Sequence, residues 1–142
     1  MTDRPQTAAD IMTRNVISVR PEATITQARA LMTEHSIRHL PVVGASGDFK
    51  GVVTQKAMLG EILRIADRYG IKEMERQTEQ RAVGEILGTD VEPIQQDLPL
   101  ADAGKFFLTV KHGCLPVLDN GRLVGILTSA GFVKLSVRLL EN

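Results

Sequence analysis

Two stretches of sequence, 75 positions apart, decide the fold: residues 38–43 read RHLPVV, and residues 113–118 read GCLPVL. Each is followed by a second apolar stretch that ends in threonine, KGVVT at 50–54 and VGILT at 124–128. The second pair is offset by 74 positions, because the turn of the first hairpin is one residue longer. Two copies are too few for a solenoid, so the two units are expected to bury their apolar faces against each other.

Each unit is predicted to run strand, helix, strand, strand, helix, which is a mixed α/β (α+β) arrangement. In the first unit, Thr24 and Gln27 form a capping box ahead of an apolar stripe at helical spacing. A β-hairpin and a second helix, from about Gln55 to a stop at Gly70, follow. Five apolar residues are expected on the buried side of that helix: Met58, Leu59, Ile62, Leu63 and Ala66.

The second unit repeats this order. An extended piece at 91–94 precedes a helix over about 99–111, and two strands follow with Asn120-Gly121 between them. Asn-Gly between apolar runs is a strong hairpin signal. A last helix over 130–140 carries apolar residues on more than one face. The predicted division is therefore repeat 1 at 1–70, a charged linker or helix extension with few buried contacts at 71–81, and repeat 2 at 82–142.

Composition narrows the class of protein. The chain has 142 residues, 17 basic and 17 acidic, so its formal net charge is zero. Nucleic-acid binders need a basic excess, so that class is disfavoured. The single cysteine, Cys114, suits a reducing compartment, and no apolar run is long enough for a membrane span. We expect a cytoplasmic protein without a membrane partner.

Catalytic and metal motifs are missing from the sequence. It contains no Walker-type glycine-rich loop and no nucleophile elbow. The three histidines, His35, His39 and His112, lack cysteine or carboxylate partners at metal-ligand spacing. We therefore expect neither an enzyme nor a metal site.

The two copies of Leu-Pro-Val, each followed by Gly-x-x-Thr and a helix, resemble a pair of CBS (cystathionine-β-synthase) domains. The resemblance covers about 8–140. It implies two repeats packed with pseudo-two-fold symmetry, and a homodimer formed through the helices after each Gly-x-x-Thr. It also implies clefts between the repeats that bind an adenosine-containing ligand, AMP, ADP, ATP or S-adenosylmethionine, and thereby modulate a partner protein. The sequence does not identify that partner.

The resemblance assigns residues to two clefts of unequal chemistry. The first has cations and an imidazole at its phosphate positions, with a base wall from the other repeat; its residues are Arg38, His39, Thr54, Lys56, Ala57, Glu92, His112 and Gly113. The second has no cation of its own; its residues are Met12, Ile17, Ile37, Cys114, Thr128 and Gly131, and Gly113 and Ala130 also fall at its phosphate positions. Because arginine and lysine suit phosphates, we expect the first cleft to bind better.

One departure from the family pattern leaves two functions open. The family's ribose-binding aspartate, three residues after the threonine, is replaced by Ala57 in the first repeat and by Gly131 in the second. Neither side chain can accept a hydrogen bond from a ribose. The cations therefore favour an adenosine-ligand sensor, whereas these two substitutions favour a dimerisation scaffold that binds little or no ligand.

Overall fold

The computed structural model describes residues 4–88, 91–109 and 113–141. These residues form both helices and strands, which confirms the predicted mixed fold. Their order is α1 (Ala8–Ile11), α2 (Ile25–His35), β1 (His39–Val43), β2 (Phe49–Thr54), α3 (Gln55–Tyr69), α4 (Ile71–Gln80), a 3₁₀ helix (Val83–Ile86), β3 (Ile94–Gln95), α5 (Leu100–Thr109), β4 (Cys114–Asp119), β5 (Arg122–Thr128) and α6 (Ser129–Glu141).

The chain forms two compact units. The middle unit is Ile17–Asp90, and the split unit joins Met1–Val16 to Val91–Asn142. Each unit has its own apolar core, with Leu40 and Val53 at the centre of one, and Leu115 and Leu127 at the centre of the other. The predicted domain boundaries follow the repeat in the sequence, whereas the compact units divide the chain near residues 16 and 90.

Corresponding residues make the same parallel pairing in both units. In the middle unit Val19 bridges Val42 in parallel. In the split unit Ile94, at the start of β3, pairs in parallel with Val117 of β4. Both members of the second pair lie 75 positions after those of the first. The repeat in the sequence is therefore also a repeat in backbone hydrogen bonding.

The segments that precede each first strand explain why the compact units differ from the repeats. Thr13, from the start of the chain, pairs antiparallel with Ile126 of β5, and the two N–H···O distances are 2.8 and 2.9 Å. Gly88, from the start of the second repeat, pairs in the same way with Val52 of β2, to which it donates over 3.0 Å. Each repeat thus contributes its leading segment to the unit that holds the hairpin of the other repeat.

The predicted capping box and the predicted second hairpin turn are confirmed. Thr24 Oγ1 accepts from the Gln27 N–H, and the Gln27 side chain accepts from the Thr24 N–H, over 3.2 and 3.0 Å. At the β4–β5 turn, Asn120 and Gly121 have φ angles of 51° and 80°. Asparagine and glycine tolerate this left-handed region, which explains why the dipeptide occurs here.

The predicted buried side of α3 is wrong at two positions. Met58 and Ile62 are buried as expected, but Leu59 is 49% exposed and Leu63 is 70% exposed. The buried face is instead made by residues spaced i, i+3, i+4 and i+7: Met58, Glu61, Ile62 and Ile65. Leucines one position after Met58 and Ile62 are rotated about 100° from that face.

The segment predicted as a charged linker, or as a helix extension with few buried contacts, is mostly helical. It forms α4, which packs against α2 and α3 in the middle unit. Thr78 is buried, and Met74 packs against the apolar core of that unit. Gly70, with a φ of 85°, separates α4 from α3, and its N–H donates to the Ala66 carbonyl over 2.8 Å. The prediction that α3 stops at Gly70 is confirmed.

A helical membrane span needs about 20 apolar residues in one helix. Across the residues that the structure describes, no helix combines the length and the apolar character needed to cross a membrane.

Candidate functional site

The junction between β2 and α3 carries the predicted phosphate residues of the first cleft. Thr54 ends β2 and is the N-cap of α3, and its Oγ1 accepts from the Ala57 N–H over 3.0 Å. The Gln55 N–H donates to the Arg38 carbonyl over 2.9 Å. These two bonds hold the residue before β1 beside the first turn of α3. One compact group therefore contains Arg38, Thr54, Lys56 and Ala57, and we name it the Thr54 half-site.

The Thr54 half-site offers unpaired donors and positive charge. The N–H of Lys56 lies in the first turn of α3, where no intrahelical acceptor exists. The side chains of Arg38 and Lys56 are exposed, and neither has a carboxylate partner among the described residues. His39 is half-buried and lies opposite Thr54 across the β1–β2 ladder. A helix N-terminus with two adjacent cations is suited to an anion.

The junction between β5 and α6 repeats this geometry bond for bond. The Gly131 N–H donates to Thr128 Oγ1 over 3.0 Å, and the Ser129 N–H donates to the Gly113 carbonyl over 3.1 Å. Cys114 lies opposite Thr128 in the β4–β5 ladder, as His39 lies opposite Thr54. We name this group the Thr128 half-site. The β2–α3 and β5–α6 junctions therefore share their backbone hydrogen bonds and differ in their side chains.

Charge distinguishes the two half-sites. At the positions of Arg38 and Lys56, the Thr128 half-site has Gly113 and Ala130. Burial raises the pKa of the Cys114 thiol to about 11, so this side chain is neutral at neutral pH. The Thr128 half-site therefore attracts an anion only through its helix N-terminus.

Ala57 and Gly131 occupy the same position, the third residue of a helix whose N-cap is threonine. A side-chain carbon added at Gly131 would lie 3.5 Å from Thr128 Oγ1 and 4.0 Å from the Ile11 carbonyl oxygen. Both are ordinary contact distances. Space alone therefore does not explain why an acidic residue is missing from the Thr128 half-site.

The remaining predicted residues are distributed between the two units. Glu92 is exposed in the split unit, and His112 lies outside the described residues. Met12 is buried in the core of the split unit. Ile17 and Ile37 are half-buried against the core of the middle unit. Each predicted cleft draws on both units, so its assembly from these residues stays a prediction.

A buried acidic residue with two basic partners was not expected from the sequence. Glu61 on α3 is 4% exposed. Its carboxylate accepts from Arg64, one turn later on α3, and from Arg81 Nη1 over 2.8 Å. Arg81 also forms an ion pair with Glu85, with 3.4 Å between Nε and Oε2. The available signal was the position of Glu61, which shares the helical face of Met58, Ile62 and Ile65.

Within residues 4–88, 91–109 and 113–141, no three histidine, cysteine or carboxylate side chains lie close enough together to hold a metal ion.

The family model for the CBS domain matches the chain twice, over residues 8–64 and 83–138. The two matches are offset by 75 positions at their starts and by 74 at their ends, as are the repeated stretches of the sequence. CBS-pair proteins are generally regulatory and not catalytic.

Three similar proteins place the chain among known sequences and structures. The CBS domain-containing protein YhcV of Bacillus subtilis is 32% identical over 117 residues, which cover 82% of this chain and 76% of YhcV. Homoserine O-acetyltransferase of Methanocorpusculum labreanum is 32% identical over 130 residues, which cover 88% of this chain but only 23% of that enzyme. The chain thus spans less than a quarter of the length of that relative.

The third is the CBS-pair protein CBSX2 from Arabidopsis thaliana. Its crystal structure matches with a TM-score of 0.81 and 27% identity over 96% of this chain and 97% of CBSX2. A crystal structure of CBSX2 in complex with AMP matches with a TM-score of 0.78 over 96% of this chain and 99% of that one. With both repeats matched by the family model and the pair fold shared with CBSX2, this chain belongs to the CBS-domain family.

Proposed function

We propose that this protein is a regulatory module that binds an adenosine-containing ligand and modulates another protein in response. The observation that carries the proposal is the Thr54 half-site, where two exposed cations lie beside the capped N-terminus of α3. Such a group is suited to the phosphate of a nucleotide. The structure of CBSX2 with AMP, from a protein 27% identical to this one, supports AMP as the first ligand to test.

The two half-sites are expected to differ in affinity. A phosphate at the Thr54 half-site would meet the side chains of Arg38 and Lys56 and the N–H of Lys56, because the Gln55 and Ala57 N–H groups are already bonded. A phosphate at the Thr128 half-site would meet the N–H of Ala130 without any cation, because the Ser129 and Gly131 N–H groups are already bonded. Hydrogen bonds to charged groups are worth about 1.5–3 kcal/mol. We therefore propose that the first cleft binds an adenosine-containing ligand more strongly than the second.

A second function is favoured by Ala57 and Gly131. Both replace the aspartate that the family pattern uses to hold a ribose, and neither can accept a hydrogen bond through its side chain. On this alternative the protein is a dimerisation scaffold that binds little or no ligand. The two functions differ in whether any adenosine compound stabilises the folded chain.

A thermal shift experiment with AMP, ADP, ATP and S-adenosylmethionine tests the proposal. At a ligand concentration of about 100 times Kd, binding stabilises the folded protein by about 2.7 kcal/mol. We expect Arg38→Ala and Thr54→Val to reduce the shift, because the first removes a cation and the second removes the cap of α3. Arg76→Ala, which removes an exposed arginine of α4, is the matched control and should keep the full shift.

The scaffold alternative makes the opposite prediction. No stabilisation by any of the four compounds at millimolar concentration would favour it. An equal loss of stabilisation in Arg38→Ala and Arg76→Ala would exclude the Thr54 half-site as the place where the ligand binds.

We further propose that the protein forms a homodimer through α3 and α6. Each helix exposes large apolar side chains: Leu59 and Leu63 on α3, and Val133, Val137, Leu139 and Leu140 on α6. Exposed apolar patches of this kind commonly mark protein interfaces. The proposed partner of this apolar surface is a second copy of this chain. The proposed compartment is the cytoplasm.

Leu63→Lys is expected to weaken the dimer. Leu63 is 70% exposed, so a lysine there should not disturb the core, but it would place a charge in an apolar interface. Sedimentation equilibrium at micromolar concentration should give a dimer for the wild type and a monomer for Leu63→Lys. Leu108→Lys, at an 85% exposed leucine of α5, is the matched control and should stay dimeric. A monomeric wild type would contradict the proposal.

A further inference from the structure

A cavity of about 310 Å³ lies in the middle unit, between α3 and the chain that leaves α4. Its volume is at the lower end of the range of about 300–1,000 Å³ that is typical of small-molecule sites. The residues that decide its chemistry are Arg64, Arg68, Arg81, Glu61, Glu85 and Tyr69. None of them belongs to the Thr54 half-site, so the cavity is a separate feature of the unit.

Positive charge exceeds negative charge around this cavity, with three arginines against two glutamates. Glu61 is bound by Arg64 and Arg81, and Glu85 is paired with Arg81. Arg68 is exposed and has no carboxylate partner among the residues that the structure describes. Its guanidinium carbon lies 5.6 Å from the centroid of the Tyr69 ring. The unbalanced charge is therefore that of Arg68.

Free donors accompany this charge. A guanidinium group has five N–H donors in a rigid fork. Arg64 uses one nitrogen on Glu61, whereas Arg81 uses Nη1 on Glu61 and Nε on Glu85. Donors therefore remain on all three arginines.

The buried carboxylate also fixes two of the three arginines. Glu61 is almost fully buried, and it ties Arg64 and Arg81 to one point on α3. An arginine that is already held loses less conformational entropy when it binds a ligand. Arg64 and Arg68 are four residues apart on α3 and hence lie on the same side of the helix. The cavity thus combines two guanidinium groups that Glu61 holds in place, those of Arg64 and Arg81, with the guanidinium group of Arg68, which has no carboxylate partner among the described residues.

We propose that this cavity is a second ligand site, which takes a small phosphate-bearing anion. Arginine forks match phosphate oxygens in pairs of hydrogen bonds, and three of them can surround one pyrophosphate group. Glu61 acts as a positioning residue that orients Arg64 and Arg81. The site is additional to the adenosine-ligand cleft of the proposed function, and its occupancy does not depend on that cleft.

Isothermal titration with inorganic pyrophosphate tests this site. We expect the wild-type protein to bind the probe and Arg68→Gln to bind it about tenfold or more weakly, because charge-assisted hydrogen bonds are lost. Arg68→Lys keeps the charge without the fork and should give an intermediate loss. Arg76→Gln removes an arginine of α4 that does not line the cavity, and it should bind as the wild type does. Circular dichroism melting curves check that each variant is folded.

The outcomes separate this site from the cleft. Pyrophosphate binding that is weakened by Arg68→Gln and kept in Arg38→Ala supports the cavity, whatever the same proteins do with AMP. The proposal is overturned if the wild type does not bind pyrophosphate at millimolar concentration, or if Arg68→Gln binds as tightly as Arg76→Gln. It is also overturned if Arg38→Ala abolishes binding while Arg68→Gln retains it, because the anion then occupies the Thr54 half-site.

Discussion

Arg81→Met should lower the free energy of unfolding by about 3 kcal/mol, because it leaves the buried carboxylate of Glu61 with one partner instead of two. The Glu61 side chain is only 5% exposed, so its charge is balanced mainly by these two guanidinium groups and not by bulk water. The remaining partner, Arg64, is 74% exposed and pairs with Glu61 within the same helix. The cost is placed at the lower end of the range of about 3–5 kcal/mol for broken buried pairs, because Arg64 still compensates part of the charge. Urea denaturation followed by circular dichroism measures it.

The double variant Glu61→Leu with Arg81→Met provides the decisive comparison. Replacing both charges by apolar groups is often neutral or stabilising, because no charge then stays buried. We expect the double variant to be more stable than Arg81→Met alone. Arg76→Met, at an exposed arginine of α4, should change stability by no more than about 0.5 kcal/mol. The single variant Glu61→Leu completes the comparison. If the double variant lost as much unfolding free energy as Glu61→Leu and Arg81→Met lose together, the result would contradict a coupled ion pair between Glu61 and Arg81.

Local signals in the sequence were sufficient for most of the fold. Thr24 with Gln27, Asn120 with Gly121, and Gly70 each act through the nearby backbone, and the structure has each of them as predicted. Such signals work because a cap or a turn depends on residues within four positions. The twofold repeat then supplied the order helix, strand, strand, helix within each repeat, but it did not indicate the 3₁₀ helix, and the first predicted strand of repeat 1 is reduced to the single bridge of Val19.

Features that depend on distant residues were not visible in the sequence. The pairing of Thr13 with Ile126 joins positions 113 residues apart, so no local pattern indicates it. The burial of Glu61 depends on Arg81, which is 20 residues later and on another element. Leu59 and Leu63 were predicted to be buried because they are apolar, although both are exposed. Charged residues that are paired can occupy a buried helical face, and exposed leucines can serve an interface.

In the candidate site, too, the local features could be predicted from the sequence and the long-range ones could not. The Gly-x-x-Thr motif assigns Thr54 and Thr128 to the two clefts, and the Oγ1 atom of each accepts from the N–H three residues later. Identical backbone geometry at both junctions follows from the repeat. The predicted clefts draw on residues of both compact units, and a pattern within one repeat does not determine whether those residues come together.

Ala57→Asp is expected to increase the affinity for AMP about tenfold or more. Residue 57 is the third residue of α3, the position from which the resemblance to CBS domains expects an aspartate to hold a ribose. A carboxylate there could accept from both ribose hydroxyls, and one charge-assisted hydrogen bond is worth about 1.5–3 kcal/mol. An acid in the first turn also interacts favourably with the helix dipole, which Lys56 opposes. Isothermal titration with AMP measures the gain, and Gly131→Asp should give a smaller one because the Thr128 half-site lacks cations.

Two controls test whether the gain comes from the ribose. Ala57→Asn has a similar shape without the charge, so it should give at most a small part of the increase. 2′-Deoxy-AMP lacks one of the two hydroxyls, so Ala57→Asp should bind it with a clearly smaller gain than AMP. An equal gain for both nucleotides would mean that the new carboxylate acts through the helix and not through the ligand. If folded Ala57→Asp bound AMP with unchanged affinity, residue 57 would not lie next to the ribose. The main argument that this cleft binds an adenosine would then fail.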